Sequence, residues 1–92
     1  MHIPAPVVAQ VWRSGSSRQA RMARLLNADD TEVLAFDLEM AKAAGRLLAE
    51  SGTADVVDAS VVLCARLRGD RVVTSDPQDL LRLDPRLELI AL

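Results

Sequence analysis

The stretch from Thr53 to Asp79, TADVVDASVVLCARLRGDRVVTSDPQD, constrains the fold more than any other segment. An acid-led, mostly apolar helix runs to Gly69, and Arg71 to Ser75 reads as a short apolar strand. A second acid pair, Asp76 and Asp79, stands where that strand ends and a helix opens at Pro77. Asp55 and Asp58 lie three residues apart, so on a helix both carboxylates fall on one face of the first turn. A buried helix followed at once by an apolar strand is a unit of an α/β sheet.

The rest of the chain repeats that grammar. Met1 to Ile3 can form a very short strand, followed by a helix over Pro6 to Arg13 that buries Val7, Val8, Val11 and Trp12. Ser14 to Ser17 is loop, with Ser16 or Ser17 as N-cap of a helix reaching Leu26. In that helix Ala20, Ala23, Leu25 and Leu26 oppose the arginines. Asn27 to Asp30 is a polar turn, and EVLAF (32–36) is a strand of the kind a sheet covers on both faces. Asp37 caps a helix over Leu38 to Glu50, with Met40, Ala43, Ala44 and Leu47 at helical spacing and Gly52 as its stop. Pro77 to Leu83 is a short helix and Leu87 to Leu92 a closing strand. The pattern predicts one α/β domain over residues 1–92 with a parallel sheet and right-handed crossovers.

Composition excludes several classes. Half the residues are hydrophobic, nearly all aliphatic, which argues for a core and against disorder. A chain of 92 residues hides only about 60–65% of its unfolded surface, so a lone fold is marginal. Trp12 and Phe36 are the only aromatic residues, too few for a base-stacking platform. A single cysteine, Cys64, forms no internal disulfide and suits a reducing compartment. No segment has signal-peptide character, and none reaches the roughly 20 apolar residues of a membrane span. These features predict a cytoplasmic protein without a membrane partner.

The net charge of -2 hides an asymmetry. Residues 1–26 hold Arg13, Arg18, Arg21 and Arg24 and no acid, whereas residues 27–92 hold seven basic and thirteen acidic side chains. A basic edge beside an acidic pocket suits a phosphodiester held by arginines. The alternative is that these arginines form the solvated stripe of an amphipathic helix.

The acids also have two readings. Asp55 can serve the helix dipole, Asp76 can be an N-cap before Pro77, and Asp79 can complete a capping box. Asp58 is different, because its neighbours Val57, Ala59, Val61 and Val62 leave a carboxylate there costly unless it meets a cation or strong donors. The functional crevice of an open α/β sheet lies outside the carboxyl ends of its strands. Asp55, Asp58, Asp76 and Asp79 gathered there would make an oxygen-rich site for Mg²⁺ or Mn²⁺. His2 is the only histidine, the serines have no base near them in sequence, and there is no glycine-rich phosphate loop. Metal-assisted chemistry is the enzymatic reading these residues support.

The run DASVVLCA (58–65), then Gly69 and VVTSDPQDL (72–80), resembles the PIN-domain family, and more narrowly the VapC-type ribonuclease toxins of toxin–antitoxin modules. The opening PAPVVAQVWR (4–13) is similar to that family's proline-led strand and helix. The resemblance implies a PIN-like three-layer fold and endoribonucleolytic hydrolysis by a metal-activated water. It assigns Asp58 and Asp76 as catalytic and metal-binding acids, assisted by Asp79 and Asp55, with Thr74 and Ser75 orienting the site. It also implies an RNA substrate and an antitoxin partner.

Two departures qualify the resemblance. The family's first acid ends a strand preceding everything in this chain, and Gln10 stands where the family has a glutamate. The fold expected is therefore an N-terminally truncated, partial PIN-like domain with two apolar strand edges bared, an arrangement that favours homodimerisation. Three functions follow: a weak or defective metal-dependent ribonuclease, a non-catalytic PIN-like interaction or dimerisation module, and a helix-turn-helix DNA-binding protein built on residues 6–26.

Overall fold

The computed structural model describes residues 1–13 and 15–92, apart from the side chains at 82 and 83; Ser14, expected to be loop, lies outside the described residues. Among the described residues the chain forms four strands and five helices: β1 (His2–Pro4), α1 (Ala5–Trp12), α2 (Ser17–Leu26), β2 (Glu32–Leu34), α3 (Leu38–Ser51), α4 (Val56–Arg68), β3 (Val72–Thr74), α5 (Pro77–Leu83) and β4 (Leu89–Ala91). The strands make one sheet in the order β2-β1-β3-β4, every pair parallel, as predicted.

Local chemistry accounts for the helix ends. Ser16 Oγ accepts from the Arg18 N–H at 3.2 Å, Asp37 Oδ1 from Met40 at 2.9 Å, and Asp55 Oδ1 from Asp58 at 3.0 Å. Each side-chain oxygen satisfies one backbone donor that the first helical turn leaves unpaired. α3 and α4 end on Gly52 (φ 71°) and Gly69 (φ 60°), left-handed positions where a side chain would be strained.

The core joins Ile3, Val7, Val11, Met22, Val61, Val62, Cys64, Val72, Val73 and Leu80. α4 lies at its centre, packed on β1, β3, α1 and α3. Two expectations fail at this level. Trp12 is 47% exposed, whereas Met22, on the arginine-bearing helix, is fully buried. β2 is an edge strand with Glu32 and Val33 exposed, so EVLAF is not covered on both faces.

The bared strand edges are also corrected. β1 meets β3 directly, at the single register position His2–Val72, with the His2 N–H donating to Arg71 O at 2.9 Å. The flanking pairs β1–β2 and β3–β4 each run for three positions. Because α4 packs across both β1 and β3, it draws them together, and Ile3 and Val73 are fully buried. The amino end is tied into the same place. The Met1 ammonium lies 2.8 Å from Asp70 Oδ2 and donates to Asp30 O at 3.1 Å. His2 holds its two ring nitrogens 3.3 Å from Glu32 and 3.2 Å from Asp70.

Candidate active site

All four strands run the same way, so the helix that returns the chain to β3 starts at the carboxyl edge of the sheet. That puts Asp55 and Asp58, at the start of α4, on the same edge as Asp76 and Asp79 at the start of α5. Asp58 feels the other three there. The Asp58 carboxyl is pushed up from 3.8 to about 6, first by burial and then by the negative charges of Asp55, Asp76 and Asp79.

The acids are not equivalent. Asp55 spends one oxygen on the Asp58 N–H, so its capping role holds. Asp76 stands at the N-cap of α5, but its side chain makes no cap bond; its backbone N–H donates instead to Thr74 Oγ1 at 3.2 Å. Among the described residues its carboxylate has neither a hydrogen-bond donor nor an ion-pair partner. Asp79 lies in the first turn of α5. Among the described residues no three His, Cys, Asp or Glu side chains converge closely enough to hold a metal ion.

Two cavities flank this acidic edge. Asp58 lines one of about 180 Å³, walled by Leu47, Leu48, Ala59 and Val62, with Ser51, Thr53, Arg66 and Asp84 at its polar positions. Asp76 lines another of about 430 Å³, together with Gln10, Val11, Arg13, Arg18 and Ser75. The two principal acids thus open into different cavities while remaining electrostatically coupled. Arg13 and Arg18 join the acidic edge; Arg21 and Arg24 are exposed on α2 and line neither cavity.

Ser75 is held in place by donating its hydroxyl to Gln10 Oε1 at 3.0 Å, across 65 residues of sequence. Thr74 is buried and its hydroxyl accepts the Asp76 N–H, so both hydroxyls bond within or across the turn that carries Asp76. Arg66, Asp84, Ser51 and Thr53 were not anticipated. Arg66 lies eight residues after Asp58 on α4, a helical repeat that could have revealed it. Asp84 could not have been found this way, because it reaches the cavity only through the packing of α5. Cys64 is fully buried and its thiol is pushed up to about 11, chiefly by desolvation, which makes it inert.

A family model described as "PIN domain" matches residues 1–84. No match was found among curated proteins or among solved structures.

Proposed function

We propose that this chain, which belongs to the PIN domain family, is a weak metal-dependent endoribonuclease of the kind found in toxin–antitoxin modules. The observation that carries the reading is the Asp76 carboxylate. It stands at an N-cap without capping, beside two arginines and within electrostatic reach of Asp58. A carboxylate that leaves its local structural task unfilled is available for a ligand.

The donor chemistry fits Mg²⁺ or Mn²⁺. Hard carboxylate oxygens share one sheet edge without converging on a single point, and the repulsion that raises the Asp58 carboxyl is what a divalent cation relieves. Asp58 and Asp76 would hold the ion, with Asp79 and the second oxygen of Asp55 assisting. When bound, such an ion supplies an activated water and neutralises charge on the phosphate. Arg13 and Arg18 bring positive charge to the phosphodiester, and Ser75, pinned by Gln10, fixes the turn that carries Asp76. With its carboxyl raised to about 6, Asp58 is mostly protonated at pH 5 and mostly ionised at pH 7.5, so cation binding should strengthen between them.

A second reading, a non-catalytic PIN-like interaction module, is favoured by one observation. Gln10 adds an amide where a further carboxylate would have completed the site, and that amide is already bonded to Ser75. An antitoxin protein, a second copy of this chain and a cytoplasmic setting remain part of the proposal under either reading.

Calorimetry with Mn²⁺ on the chain and on Asp58→Asn separates the two. Binding that disappears in the variant supports the nuclease; no binding to the parent chain supports the module.

A further inference from the structure

We propose that the cavity between α3 and α4 binds a small aliphatic ammonium ion, its charge on the Asp58 carboxylate and its chain among the leucines. This cavity is separate from the one that Asp76 opens into, and such a ligand lies beyond the nuclease reading. Leu47 and Leu48 of α3 face Ala59 and Val62 of α4 across it, so the interior offers apolar contact. Asp58 stands half-buried in the same wall. Among the described residues no donor bonds its carboxylate and no cation lies within ion-pair distance. The neighbouring charges that act on it, those of Asp55, Asp76 and Asp79, are negative. A carboxylate beside apolar walls is costly until a cation or a donor meets it.

The other polar groups of the cavity are already occupied with one another. Ser51 and Thr53 share a hydrogen bond at 2.9 Å. Asp84 accepts from the Arg86 Nε–H at 3.1 Å and also feels the positive charge of Arg66. The charge at Asp58 is left unanswered. Size then narrows the ligand. The cavity holds about 180 Å³, and an apolar cavity of about 150 Å³ takes benzene, so a body of about five or six heavy atoms fits. A second ammonium group would have to leave water for the apolar walls or approach Arg66, which favours a monoamine over a diamine.

The test is an amide chemical-shift titration of the isotope-labelled chain with pentylamine, in EDTA at about pH 7, where no metal intervenes. The amides of Leu48, Ala59 and Val62 should move together and saturate with a Kd of about 1 mM. Asp58→Asn should weaken binding about tenfold or more, and so should replacing the amine by pentanol. Each methylene added from ethylamine to pentylamine should tighten binding about threefold. Asp76→Asn should stay within about twofold of the parent, because Asp76 lines the other cavity. A urea midpoint no lower than the parent's shows that Asp58→Asn is folded.

Equal losses in Asp58→Asn and Asp76→Asn would overturn the site in favour of a diffuse attraction to the acidic edge. Pentanol binding as tightly as the amine would reduce it to an apolar crevice, and shifts that never saturate would dispose of it. The amine and Mn²⁺ would compete for Asp58, so the two readings separate cleanly. Amine binding in the expected pattern without Mn²⁺ binding leaves the cavity standing and the nuclease reading refuted; Mn²⁺ binding without amine binding does the reverse.

Discussion

Asp58→Asn should stabilise the metal-free protein at neutral pH. The Asp58 carboxyl is raised from 3.8 to about 6 in the fold, because burial and three neighbouring carboxylates oppose its charge. A carboxyl so displaced binds a proton in the folded state that the unfolded state has already released. Its favourable contribution is therefore complete below pH 3.8 and is lost as pH rises through about 6. The full displacement corresponds to at most about 3 kcal/mol. Asp58 is only partly buried, so solvent screening cuts this to about 1 kcal/mol, and the helix-dipole gain of an acid in the first turn of α4 offsets a few tenths more.

Asparagine keeps the shape, leaves the backbone bond to Asp55 intact and removes the charge. Urea denaturation in EDTA at pH 4 and pH 7.5 reads the effect. At pH 7.5 the variant should be more stable by about 0.5–1 kcal/mol, and the advantage should vanish near pH 4. A variant destabilised at pH 7.5, or one whose difference from the parent does not change with pH, would refute the claim that the acidic edge is under electrostatic strain.

Two further predictions address the frame around the site. Asp70 is held down at about 2, first by its bond to the Met1 ammonium and then by the Arg71 N–H, so its contribution is present above pH 3.8 and lost as pH falls through about 2. Asp70→Asn should lower the melting temperature at pH 7, and the gap between variant and parent should close towards pH 2. Met22→Ala removes a fully buried side chain from the core and should cost about 2–5 kcal/mol in urea denaturation, where a surface residue of α2 would cost little.

The helix caps were legible in the sequence because each is settled within one turn of chain. Asp37, Asp55, Gly52 and Gly69 do what their residue types do at those positions. Asp76 before Pro77 carries the same local signal, yet its side chain does not cap; the Thr74 hydroxyl takes its N–H instead. Nothing local to Thr74 assigns it that bond, which depends on how the β3–α5 turn bends. The arginines divide similarly. Their regular spacing is visible in the sequence, but only the folded structure shows that Arg13 and Arg18 line the cavity of Asp76 while Arg21 and Arg24 line neither cavity.

The strand ends were not legible, since β2 covers only Glu32–Leu34 of EVLAF and β4 only Leu89–Ala91. By itself the sequence determined the order of elements, the caps at Asp37, Asp55, Gly52 and Gly69, the parallel α/β class and the nomination of four acids. All of these follow from interactions between residues a few positions apart, or from hydrophobic period alone. Only the tertiary structure decided that Met22 and not Trp12 fills the core, and that β1 closes directly on β3. It alone placed Asp58 and Asp76 in separate cavities, with Gln10 bonded to Ser75. Those outcomes depend on contacts between segments far apart in the chain, where several packings satisfy the same local pattern and the buried volume selects among them.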